Sequence, residues 1–116
     1  TYDAGSIREV RRALEAKGLE PAIMVDCSHA NSEKDFHTQP RVSADLAAQI
    51  AGGDSSIRAV MIESHLKEGA QKLVSHPEQL LYGISVTDGC VGWETTVEMV
   101  KDLATAVRKR RATFLA

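Results

Sequence analysis

The chain has 116 residues and a mass of 12.6 kDa, with 43% hydrophobic and 26% charged side chains, the make-up of one soluble globular domain; disordered and collagen-like classes are excluded. Fourteen basic against sixteen acidic residues leave a formal charge of -2, so no global positive field is present to hold nucleic acid or an anionic bilayer. No apolar run approaches the roughly 18 residues of a membrane span, and Thr1-Tyr2-Asp3-Ala4 lacks the basic and apolar segments of a secretory signal.

In chain order, Ser6 and Glu9 have capping-box spacing, Ile7, Val10 and Leu14 recur at helical intervals, and Lys17-Gly18 supplies a stop. This predicts an amphipathic helix over residues 6–17. After Pro21 the apolar run Ala22-Ile23-Met24-Val25 leads into Asp26-Cys27-Ser28, and a loop follows from His29 to Pro40; the run reads as a buried parallel strand. A second helix is expected over 42–51, with Val42, Leu46 and Ile50 on one face and Gly52-Gly53 closing it. A second strand runs from Ile57 to Ile62 and ends at Glu63, and 64–80 reads mostly as loop. A third strand is expected over 82–88, ending at Asp88, and a last helix over 93–111 carries the stripe Trp93, Val97, Val100, Ala104 and Val107. The alternation of helix and strand predicts an α/β fold with parallel strands.

Each expected strand ends in a metal-capable residue, His29, Glu63 or Asp88, at separations of 34 and 25 residues. One βα unit takes about 30 residues, so the three occupy equivalent positions and should converge on the carboxyl rim of the sheet, where α/β proteins place their sites. One imidazole and two carboxylates suit manganese, iron, cobalt or zinc better than calcium. Against this, a lone histidine after a strand is more often a loop hydrogen-bonder, whereas a carboxylate closing an apolar strand needs a cation or an Arg nearby.

Other features count for less. His37, His65 and His76 fall in expected loops; His65 alone could line the site, if the chain stays extended past Glu63. Strict alternation puts Cys27 on the same face as His29 and turns Asp26 toward the helices, which requires either a bulge or a basic partner for Asp26. Cys27 and Cys90 read as free thiols, suited to a reducing cytoplasm. The run Arg108-Lys109-Arg110-Arg111 ends the last helix, where cations offset the helix dipole. The first residue is Thr rather than Met, as expected of a piece of a longer polypeptide.

Three motifs, Val25-Asp26-Cys27-Ser28-His29-Ala30-Asn31-Ser32, Val60-Met61-Ile62-Glu63-Ser64-His65-Leu66 and Ser85-Val86-Thr87-Asp88-Gly89-Cys90-Val91-Gly92-Trp93-Glu94, together resemble the type I DAHP synthases. The resemblance runs along the whole chain and implies the C-terminal part, about three βα units, of a (β/α)8 TIM barrel. It further implies a cytoplasmic, metal-dependent transferase that condenses phosphoenolpyruvate with erythrose 4-phosphate in the first step of the shikimate pathway. His29, Glu63 and Asp88 would be three of four ligands to a divalent metal, most often manganese. The family's fourth ligand, a cysteine on an early strand, and its phosphate-clamping Lys and Arg segments precede the part present here, and neither Cys27 nor Cys90 lies in the cysteine's motif context. His29 then needs an acceptor for its second ring nitrogen, with Asn31 or a backbone carbonyl as candidates. Alone, the chain should be inactive; its expected partners are the two substrates and either the rest of the barrel or further copies in a homo-oligomer, without nucleic acid or membrane. The competing readings are another metal-dependent barrel aldolase acting on pyruvate or phosphoenolpyruvate, and a non-catalytic partial-barrel assembly module.

Overall fold

The computed structural model describes residues 1–114 and has an α/β fold around a small parallel sheet. Helix α1 (Ala4–Ala16) starts two residues before the expected point. Asp3 is its cap, accepting hydrogen bonds from the Ser6 backbone N–H at 3.2 Å and hydroxyl at 2.7 Å, and a carboxylate there satisfies helix donors that Ser6 would otherwise have to serve. The helix closes with Gly18 at φ +72° and Leu19 N–H donating to Leu14 O at 3.0 Å, the left-handed stop that a glycine adopts without a Cβ penalty.

Strand β1 (Ile23–Asp26) pairs in parallel with β2 (Ile57–Met61), and one extra residue in β2 shifts the register after Ile23. Between them α2 (Gln39–Ala51) begins earlier than expected because Pro40 fits its first turn, where no N–H is needed. Val42, Leu46 and Ile50 are buried as their spacing implies. They form one core with Ile7, Ile23, Val25, Cys27, Ile57 and Ala106, lying between one face of the sheet and the helices. The last helix, α3 (Trp93–Phe114), packs along α2. Its buried side runs through Met99, Leu103, Ala106 and Val107, while Trp93 and Val100 of the expected stripe are exposed. Helical spacing defines an apolar side, but what covers it is decided by neighbours elsewhere in the fold. Among the described residues no helix is long and apolar enough to cross a membrane.

The expected third strand over 82–88 does not form a ladder. Its pairing reduces to a single bridge between Ser85 and Ala70, and Tyr82 is 81% exposed. The partner backbone is the stretch after Glu63, and it takes scattered bonds rather than a ladder: Val91 N–H donates to Glu63 O at 3.0 Å and His65 N–H to Val91 O at 3.0 Å, while Lys67 N–H donates to Gly83 O and Gln71 N–H to Ser85 O, each at 2.8 Å. Period-two apolar spacing makes a strand only where another backbone offers its donors and acceptors in continuous register.

Among the described residues, helices cover one face of the sheet only. On the other, Met24 is 67% exposed, although parallel sheets are normally covered on both faces. The radius of gyration, 16.8 Å with extents of 55 × 31 × 19 Å, exceeds the roughly 13 Å of a compact domain of this length.

Candidate metal centre

Beyond β1 the chain turns. His29 sits at φ +51° at the start of a one-turn 3-10 segment, His29–Ser32, which is followed by Glu33 at +56° and Lys34 at +62°. Left-handed geometry at a non-glycine residue costs about 1–2 kcal/mol. Here it is held by Lys34 N–H donating to His29 O at 2.8 Å, Glu33 N–H to Ala30 O at 3.1 Å and the Asn31 side-chain amide to Asp26 O at 2.8 Å.

The turn decides which side chains meet. Strict alternation would pair His29 with Cys27; instead Val25 and Cys27 point into the helix-covered core, and the turn brings His29 onto the open face beside Asp26. His29 Nδ1 lies 2.9 Å from Asp26 Oδ2. Asp26 therefore has the basic partner that its position required, and Asn31 does not serve as the ring's acceptor: its amide bonds the Asp26 carbonyl, and its own oxygen accepts from the Thr1 hydroxyl. Ser28 adds N–H and hydroxyl hydrogen bonds to Asp26 Oδ1 at 2.8 and 2.6 Å. Partial burial would raise the Asp26 pKa, but the bonds from Ser28 and His29 outweigh it and hold the carboxyl below its usual value. The His29 imidazole is shifted upward, first by its bond to Asp26 and then by the field of Glu63, with Asp88 contributing less.

With Nδ1 engaged, Nε2 faces the two carboxylates, 3.3 Å from Glu63 Oε1 and 3.8 Å from Asp88 Oδ2. One ligand atom from each of the three residues lies within 4.8 Å of the others. At bond lengths of about 2.1 Å, neighbouring ligands of one ion stand about 3 to 3.4 Å apart in octahedral or tetrahedral geometry. The donor set fits a divalent cation, with one imidazole and two carboxylates gathered a little wider than an ion would hold them. They border a cavity of 310 Å³ lined also by Ser32, Lys34, Phe36 and Gly89. Phe36 packs against Gly89, where an added Cβ would come 2.7 Å from the ring; the glycine lets the loop bearing Asp88 close down on the site.

The remaining candidates lie elsewhere. The His65 Nδ1 accepts from the Leu66 N–H at 2.8 Å and the ring does not reach the cavity; His37 pairs with Asp35 at 2.9 Å and His76 with Glu78 at 3.4 Å, both on the surface. Lys34 borders the cavity, and Lys67 does not. Cys27 and Cys90 are free and buried, and burial pushes the Cys27 thiol up to about 11, which leaves an inert hydrophobe rather than a nucleophile. Arg110, within the basic run, donates to Asp54 O at 2.8 Å, just past the end of α2. Two residues that sequence reasoning passed over as site elements, Asp26 and Gln39, touch the centre's backbone or side chains. The awkward facing of Asp26 was the available signal for the first; nothing in the local spacing marks the second.

Residues 1–101 match the family model described as the DAHP synthetase I family. The chain is 53% identical over 113 residues to the tyrosine-inhibited phospho-2-dehydro-3-deoxyheptonate aldolase of Schizosaccharomyces pombe, with 95% of this chain and 30% of that protein covered. It is 50% identical over 110 residues to the Phe-sensitive enzyme of the same name from Escherichia coli, covering 95% of this chain and 31% of that protein. The solved structure of the phospho-2-dehydro-3-deoxyheptonate aldolase of Francisella tularensis superimposes with a TM-score of 0.89 at 41% identity, covering 95% of this chain and 31% of that one. The chain thus spans about a third of the length of the relatives that it matches.

Proposed function

The chain belongs to the DAHP synthetase I family, and from that premise we propose that it forms the metal-binding rim of an enzyme condensing phosphoenolpyruvate with erythrose 4-phosphate to DAHP and phosphate. In this reading it contributes about three C-terminal βα units of a (β/α)8 barrel in a cytoplasmic enzyme of aromatic amino acid biosynthesis. The observation that carries the proposal is the convergence of His29 Nε2, Glu63 Oε1 and Asp88 Oδ2 at the carboxyl end of a parallel sheet, where barrel enzymes hold their chemistry. The uncovered face bearing Met24 supports the partial-barrel reading, because the missing units would supply its cover.

A divalent cation, manganese by preference with iron, cobalt or zinc as alternatives, would supply Lewis-acid polarisation of the erythrose 4-phosphate aldehyde when bound. Asp26 holds the His29 ring so that Nε2 points at the carboxylates. Glu63, half-buried, keeps one carboxylate oxygen beside Nε2, and Asp88, more exposed, approaches from the loop braced by Phe36 and Gly89. Lys34 lends positive charge to a cavity otherwise lined by the Glu63 and Asp88 carboxylates, and a bound divalent cation would add the charge that an anionic substrate needs.

The test is product formation from both substrates with manganese, using the full-length protein and this 116-residue chain side by side. Activity is expected from the first and not from the second, which lacks the remaining barrel units. A full-length protein that consumes pyruvate and never phosphoenolpyruvate would refute the proposal. Metal binding should also depend on pH with a definite sign. His29 is shifted upward, so the metal-free site keeps its proton to higher pH than free imidazole does, and a proton on Nε2 excludes the ion. Apparent manganese affinity is therefore expected to be full above that raised value and to fall about tenfold per pH unit below it, as calorimetric titration would show. Affinity that stays flat from mildly acidic to mildly alkaline pH would contradict the assignment of His29 as a ligand.

A further inference from the structure

We infer that Gln39 is a positioning residue for the Glu63 carboxylate, its buried side-chain amide standing in for a missing strand at the edge of the metal centre. The inference rests on the metal-centre reading above. The β1 side of the ladder gives out just past Asp26, where Cys27 N–H donates to Met61 O at 2.8 Å. Two residues further along, Glu63 N–H donates to Gln39 Oε1 at 2.9 Å, and Gln39 Nε2 donates to Glu63 O at 3.1 Å. A neighbouring parallel strand would offer Glu63 one acceptor and one donor from two of its residues, and here both come from a single side chain 24 residues away in sequence. On its other side Glu63 O accepts from Val91 N–H at 3.0 Å, so the backbone of this residue is clamped from two directions.

Two considerations separate this arrangement from ordinary core filling. Gln39 is 0% exposed, and burying a primary amide is unfavourable unless both of its ends are bonded. An apolar side chain of the same length would fill the space without that cost. Both bonds, moreover, go to the one residue whose side chain presents Oε1 at 3.3 Å from His29 Nε2. Fixing the peptide planes on either side of Glu63 fixes its Cα–Cβ direction, and any tilt there is amplified along the side chain to the carboxylate. Because Gln39 is also the first residue of α2, the inference ties the start of that helix to the geometry of the centre.

The experiment titrates manganous ion into the full-length protein by calorimetry and records the electron paramagnetic resonance spectrum of the bound ion. The proteins compared are the parent, Gln39→Met, Glu63→Gln and Leu46→Ala, the last a core variant remote from the donors. Gln39→Met keeps length and volume but neither hydrogen bond. It is expected to weaken manganese about ten- to a hundredfold, the usual range for a lost supporting partner, and to alter the spectrum of the ion that remains bound. Leu46→Ala should keep its affinity within twofold of the parent although it loses stability. Gln39→Met binding within twofold of the parent, or Leu46→Ala losing as much affinity as Gln39→Met, would overturn the inference. If Glu63→Gln binds as tightly as the parent, the metal-centre reading falls and takes this inference with it. If Glu63→Gln is weak while Gln39→Met is unchanged, the inference falls alone. Should Gln39→Met fail to fold, Gln39→Asn, one methylene too short to reach both Glu63 groups, is judged by the same criterion.

Discussion

Alanine in place of His29 is expected to lower the proposed synthase activity, measured in a full-length protein, by about 10³-fold or more and to remove tight manganese binding, a loss of about 4 kcal/mol in transition-state terms. His29 Nε2 is the atom that faces both carboxylates, at 3.3 and 3.8 Å. Without it, Glu63 and Asp88 are left as two like charges with no neutral donor to complete the set. Asp26→Asn should behave differently. The amide oxygen can still accept from Nδ1, but the ring loses its charged partner, which is the first cause of the upward shift of His29. The expected loss in metal affinity is about ten- to a hundredfold, accompanied by a move of the pH midpoint for binding toward that of ordinary imidazole. Calorimetry across pH and steady-state rates on both variants decide the matter. A His29→Ala protein that binds manganese like the parent would dismiss the centre. An Asp26→Asn protein as damaged as His29→Ala would mean that Asp26 does more than orient the ring.

Leu46→Ala and Met24→Ala are expected to destabilise the full-length protein by similar amounts, each about 2–5 kcal/mol, for different reasons. Leu46 is 0% exposed within this chain, packed with Val42, Ile50 and Val25 in the helix-covered core, and its truncation leaves a cavity that neighbours fill only in part. Met24 is 67% exposed here, on the opposite face of the same sheet, and a side chain so placed would ordinarily tolerate truncation within about 0.5 kcal/mol. Its expected cost arises only if further barrel units cover that face. Chemical unfolding of the two variants, followed by fluorescence, makes the comparison. A Met24→Ala protein indistinguishable from its parent would show that the face remains solvated, and the partial-barrel proposal would fail.

Much of the fold was legible before any coordinates. The spacing of Val42, Leu46 and Ile50 defined α2 and its buried face, and the glycines at 18 and 52–53 marked where the first two helices stop. The apolar runs at 23–25 and 57–61 are the two strands that pair. The run at 82–88 carried the same signal and failed, because its alternation says nothing about whether a partner backbone stays in continuous register; residues 67–71 lie alongside but give it only single bonds and one bridge. The stripe of α3 erred at Trp93 and Val100 for a related reason. Several of its side chains are equally apolar, and which of them is covered depends on where α2 lies.

For the candidate site, position along the chain marked His29, Glu63 and Asp88 as candidates, since each closes or follows an apolar run, and the motif resemblance joined them into one proposed ligand set. The sequence could not supply the supporting partners. Asp26 reaches His29 only because the backbone turns at φ +51°, and Gln39 reaches Glu63 across 24 residues because the start of α2 lies beside the carboxyl end of β2. Periodicity is a local property of the chain, and residues alone determined which side chains are apolar, which can bind a cation and where helices end. Facing, cover and hydrogen-bond partnership belong to pairs of groups distant in the chain, so only the tertiary structure decided them.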